Sequence, residues 1–234
     1  MTTNRSSFPK IVFHVGGPAF HPVAEQAAAI SRWLGDGYAC SLYDGIDAFE
    51  ALDDADLLVV MGLHWTGMLN GDGSMPPYRP MGEKHREAFE RYVASGRPLL
   101  IHHGGIASYD DWPRFGDLLG FTWVWDVTQH SPIGDYRVRP RPTGHPLVAG
   151  VDEFPIHDEL YYDIRITPGL TPTVHAVADY DGRELPMVMS AEGGRVAGAG
   201  RTVYLANGHD MRAFESPAMR RLWINAVQWL LDGC

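Results

Sequence analysis

Four places in this 234-residue chain set glycine and histidine together at the end of a short apolar run. Gly16-Gly17 with His21 follows KIVFHV, Gly62 with His64-Trp65 follows DLLVVM, His102-His103-Gly104-Gly105 closes PLLI, and Gly208 with His209-Asp210 closes RTVYLA. Glycine lets a chain turn, and nothing about turning calls for imidazole. Imidazole titrates near neutrality and ligates divalent metals, so the coincidence points to one pocket for proton transfer or metal binding. LIHHGG is the sharpest of the four. A strand that stops abruptly before small residues can present one side chain at a tight strand-to-helix corner, as nucleophile elbows do, and the side chain offered there is His102. His103 then either joins the binding surface or supports it from behind, donating to a backbone carbonyl.

The second concentration of chemistry is His157-Asp158-Glu159 with Tyr161-Tyr162. Two carboxylates in one pocket can take acid and base roles when their surroundings differ. Neighbours in an extended segment point to opposite sides, so Glu159 is expected in the pocket with His157 and Tyr161. A solvated acidic loop is the alternative. Trp65, next to His64 in a long loop, suits stacking against the apolar face of a ligand, whereas Trp33, Trp223 and Trp229 fall on helices that cover a sheet. Neither Gly104-Gly105 nor Gly193-Gly194 completes a phosphate-binding glycine motif, which disfavours nucleotides.

Strands are expected over Lys10–Val15, Tyr38–Tyr43, Asp56–Met61, Pro98–Ile101 and Arg201–Ala206, the apolar ones buried on both faces. Helical spacing runs through Val23, Ala27, Ile30 and Leu34, then through His85, Phe89, Tyr92 and Val93, and finally from Met219 to Leu230 behind Ser216-Pro217. Leu63 to Met81 reads as a long loop suited to a lid, and about 121–184 as a β-rich insertion on a core of 10–120 and 185–231. The alternation predicts one α/β domain over 1–234, an open and mostly parallel sheet with helices on both faces. Ligands in such sheets bind beyond the carboxyl ends of the strands, where these histidines lie.

Composition narrows the partners. With 29 acidic and 19 basic residues the formal net charge is −10, which gives no footprint for nucleic acid. No apolar run marks a signal peptide or a membrane span, so a cytoplasmic protein is expected. Cys40 and Cys234 are the two cysteines, too few for a disulfide framework or a thiolate metal cluster, so any metal must be held by His and carboxylates. The 11 His and 7 Trp suit a polar-aromatic small-molecule pocket, and a homo-oligomer is left open.

LLIHHGGIASYDDWPRFGDLLG, TQHSPIGDYRV with His130, GHPLVAGVDEFPIHDELYYD and ANGHD before a terminal helix together resemble the ThuA-like family, named for trehalose utilisation, from about Phe13 to Leu230. The resemblance implies a flavodoxin-like branch of the class I glutamine amidotransferase fold and a role in carbohydrate catabolism. Where the amidotransferases carry an elbow cysteine this chain aligns His102, and where they carry His-x-Glu it reads His209-Asp210-Met211. Glutaminase activity is therefore not expected. The reading is a hydrolase, lyase or isomerase acting on a sugar derivative such as a 3-keto glycoside, with His102, Glu159 and His209 catalytic and His21, His64, Trp65, His103, His130, Tyr161 and Asp210 binding the sugar. His21, His102, Glu159 and His209 holding one divalent metal such as zinc is an alternative mechanism. A non-catalytic sugar-binding or regulatory protein is the alternative function.

Overall fold

The computed structural model describes residues 8–67 and 77–232, so residues 68–76 of the expected lid, like Cys234, lie outside the described residues. The strands of the main sheet are β1 (Lys10–Val15), β2 (Ala39–Asp44), β3 (Leu57–Val60), β4 (Leu99–His102), β5 (Gly134–Pro140), β6 (Phe154–Asp158), β7 (Thr173–Tyr180), β8 (Arg183–Glu192) and β9 (Arg201–Leu205). They form one nine-stranded sheet in the order β2-β1-β3-β4-β9-β8-β7-β5-β6. From β2 to β9 the neighbours run parallel, and from β9 to β6 they run antiparallel. Three strands of the β-rich segment thus continue the sheet, while Phe121–Thr122 pairs with Arg165–Ile166 and Gln129–His130 with Tyr161–Tyr162.

The parallel strands have the composition that burial on both faces demands. Every residue of β3 and β4 is buried, and β1 exposes only Lys10. Four helices cover them: α1 (Val23–Leu34), α2 (Glu83–Ala94), α3 (Arg114–Leu119) and α4 (Pro217–Leu231). Ser216 precedes α4 as the sequence suggests, but its hydroxyl makes no capping bond, and Pro217 supplies the first-turn preference.

Register decides which residue meets which helix layer. His14, Val60 and Ile101 lie in one row across β1, β3 and β4, so they share a face, and His102 takes the opposite one. On the His14 face, Phe49, Phe89, Phe115 and Tyr109 form an aromatic cluster beneath α2 and α3. The His102 face packs on Phe214 and on Trp223 of α4. Among the described residues no helix is long and apolar enough to cross a membrane.

Candidate active site

Three strand ends and one strand from the far side of the sheet build the site. After β1 the chain turns through Gly16 and Gly17, both at positive φ, and delivers His21 just before α1. After β4 comes His103, held at φ 40°, a left-handed conformation that non-glycine residues adopt at a cost of order 1–3 kcal/mol. The Nδ1 atom of His103 lies 2.7 Å from the Ala206 carbonyl, and its ring packs at a tilt on Tyr161, with centroids 4.2 Å apart. After β9 comes His209. Gly104 is glycine because the His21 ring fills the space beside it: a Cβ there would lie 2.9 Å from His21 Cε1.

Glu159 follows β6, the outermost strand. The preceding residue brings it in. Asp158, 1% exposed, accepts hydrogen bonds from Asn207 Nδ2 (3.0 Å), Gly208 N (2.8 Å) and His209 N (2.9 Å), which ties the end of β6 to the loop after β9. Gln26 of α1 donates to the Gly208 carbonyl from the other side. Glu159 Oε1 then sits 3.3 Å from His103 Nε2 and 3.2 Å from His209 Nδ1, and Oε2 sits 3.1 Å from His130 Nδ1. His21 Nε2 closes the group at 3.0 Å from His209 Nδ1.

Burial alone would raise the Glu159 pKa, but the His103, His130 and His209 contacts outweigh it and hold the carboxyl well below the ordinary range. Its hydrogen bond with Glu159 lifts His130 to about 9. Burial would depress His103, and Glu159 more than compensates. Burial depresses His21, with His103 and His209 adding to the effect. At neutral pH the arrangement is therefore an ionised carboxylate beside a protonated His130 and a neutral His21. Above it opens a cavity of about 430 Å³ lined by Phe20, His21, Trp65, Trp123, Trp125 and His130, with Glu159, Tyr161 and His209 also on its wall. Trp65 and Trp125 stand 5.2 Å apart, and Trp123 packs on Tyr161.

Residues 21–230 match the family described as ThuA, trehalose utilisation. The chain belongs to the ThuA family. It is similar in fold to a ThuA-like protein of Parabacteroides merdae ATCC 43184, with TM-score 0.72 and 17% identity over 97% of this chain and 91% of that one. A ThuA-like protein of Bacteroides uniformis ATCC 8492 gives TM-score 0.68 and 18% identity over 98% and 95%. A glutamine amidotransferase of Thermotoga maritima gives TM-score 0.51 and 9% identity over 97% and 99%, so the scaffold is shared with that class. No curated protein matches the sequence.

In this ThuA-family chain the structure brings together His21, Trp65, His103, His130, Glu159, Tyr161 and His209, and three expected site residues fall elsewhere. His102 is still part of β4, so its ring points to the core between Phe214 and Trp223, and the residue at the elbow is His103. Gly208 seals His102 in, since a Cβ there would lie 2.0 Å from its Nε2. His64 turns inward as well. Its Nε2 meets the Val15 carbonyl at 3.0 Å and its ring stacks on Tyr109. Asp210 pairs with Arg212 and caps the short helical turn at Met211–Glu215 instead of lining the cavity. His157, expected on the Glu159 side, is bound to Asp135 and Arg212 on the surface. Alternation fails there because β6 ends at Asp158, and both carboxylates are buried.

Sequence reasoning missed Asp158 as a clamp, Gln26, and the Trp123-Val124-Trp125 pair. The last had a signal, since aromatics two apart in extended chain share a side.

Proposed function

We propose that this protein is an enzyme of carbohydrate catabolism that acts on a sugar derivative, a 3-keto glycoside, by proton abstraction next to the carbonyl. The observation that carries this reading is a buried ionised carboxylate, ringed by imidazoles, on the wall of an aromatic cavity of about 430 Å³. That volume falls in the usual range for small-molecule sites, and the faces of Trp65, Trp123 and Trp125 suit the apolar faces of pyranose rings. A carbonyl at carbon 3 acidifies the carbon-2 proton. Glu159 accepts that proton, the electron pair moves into the enolate, and the enolate's collapse breaks the bond from carbon 1 to the glycosidic oxygen. His130 protonates the departing oxygen and is recharged from Glu159, leaving an enone and a free alcohol.

The test is to incubate the protein with a 3-keto glycoside and with its unoxidised parent, following enone absorbance and alcohol release. Turnover of the oxidised compound alone is expected. Saturable binding of both with no turnover would replace the enzyme by a sugar-binding protein on the same pocket.

Glutamine hydrolysis is expected to be absent, because the elbow carries His103 where a thiolate would be needed and Cys40 lies in β2 with its thiol pushed up by burial. A glutamate-release assay checks this. Release that persists in a C40A/C234A variant would mean that another nucleophile serves.

A further inference from the structure

We infer that His21, His103, Glu159 and His209 form a binding site for one divalent transition-metal ion of the zinc type. Each offers one ligand atom, and the four atoms lie within 4.8 Å of one another. The contacts between them are 3.0 Å from His21 to His209, 3.2 Å from His209 to Glu159 and 3.3 Å from His103 to Glu159. Ligands at the 2.0–2.1 Å bond lengths of a tetrahedral zinc site stand about 3.3 Å apart. Three imidazoles and one carboxylate favour zinc and its neighbours over magnesium or calcium, which take oxygen.

The argument for a metal rests on this geometry, in which His103 turns one ring nitrogen to the backbone and the other to the group. Its Nδ1 faces the Ala206 carbonyl oxygen at 2.7 Å and its Nε2 faces Glu159 Oε1 at 3.3 Å. A doubly protonated His103 would donate to both oxygens, whereas a metal-bound one would keep its proton on Nδ1 and give the Nε2 lone pair to the ion. With the proton on Nδ1, Nε2 is left for a positive charge, and that nitrogen makes no hydrogen bond in a site where His103 is 1% exposed. His21, 5% exposed, presents Nε2 to the same group, 3.0 Å from His209 Nδ1. The surroundings are those that orient metal ligands: the Ala206 carbonyl fixes the His103 tautomer, and Asp158 holds the His209 backbone. Ligated through Oε1, Glu159 keeps Oε2 on His130. An ion there would polarise a carbonyl presented from the cavity. The site shares Glu159 with the sugar reading but does not depend on it, since it needs only these four side chains.

The full chain, freed of metal with a chelator and desalted, is titrated with zinc alone and followed by calorimetry and thermal melting, with cobalt absorption reporting the coordination. One ion per chain is expected, with a melting temperature raised by several degrees and the visible bands of a nitrogen- and oxygen-ligated cobalt. H103Q and H209Q should each weaken zinc binding at least tenfold, while H157Q, a surface control, should bind as the parent does. Circular dichroism of each apo variant separates loss of ligand from loss of fold, and if H103Q does not fold, H21Q replaces it. No zinc binding by the parent, or binding unchanged in the ligand variants, overturns the proposal. Zinc binding with no sugar turnover leaves the metal site standing and removes the sugar reading, whereas turnover by metal-free protein that binds no zinc does the reverse.

Discussion

Glu159→Gln is expected to lower turnover of a 3-keto glycoside by about 10²–10⁴-fold, the usual yield of a positioned acid or base, while the protein stays folded. The substitution keeps the shape and removes the charge that organises three imidazoles. Without that carboxylate the proposed proton acceptor is gone, and the interaction that keeps His130 protonated at neutral pH is lost. His102→Gln is the informative comparison. It alters a core ring against Trp223, so it should lower the melting temperature and leave the turnover of the surviving folded protein within a few-fold of the parent. The pair is read by initial rates with the keto sugar and by thermal melts on the same preparations. Wild-type rates in Glu159→Gln would remove the catalytic assignment.

The second large effect is on stability. Asp158→Ala should cost on the order of 3–5 kcal/mol, because it strands two buried donors, Asn207 Nδ2 and the Gly208 amide, and the half-buried His209 amide with no acceptor. Asp158→Asn separates shape from charge. Its amide offers one oxygen where the carboxylate offers two, and its NH₂ group faces donors. It should therefore lose a smaller amount of stability and free the loop that carries His209. Urea denaturation gives the stability, and the ratio of kcat loss to KM change in the Asn variant reports the position of His209. If Asp158→Asn unfolds at the parent's midpoint and turns over at the parent's rate, the clamp has no part in holding the site.

Much of this protein is legible along the chain. The runs KIVFHV, DLLVVM and PLLI are apolar without alternation, and only strands covered on both faces bury such runs, so the parallel half of the sheet follows from local composition. Glycine after each run marks where the chain turns, and the carboxyl ends of parallel strands share one edge, so His21 and His209 could be placed near each other before any contact was seen. The tertiary structure decided what depends on one residue of register or on distant partners. Whether β4 ends at Ile101 or His102 is a difference of a single position, yet it exchanges a core ring for the residue at the elbow, because side chains alternate with period two. The end of β6 at Asp158 turns two adjacent carboxylates to different tasks, one clamping the β9 loop and the other joining the histidines. His130 and Glu159 meet across 29 residues, and Glu159 and His21 stand in one cluster across 138, for the reason that sheet hydrogen bonding and core burial fix those distances and local propensity carries no information about them.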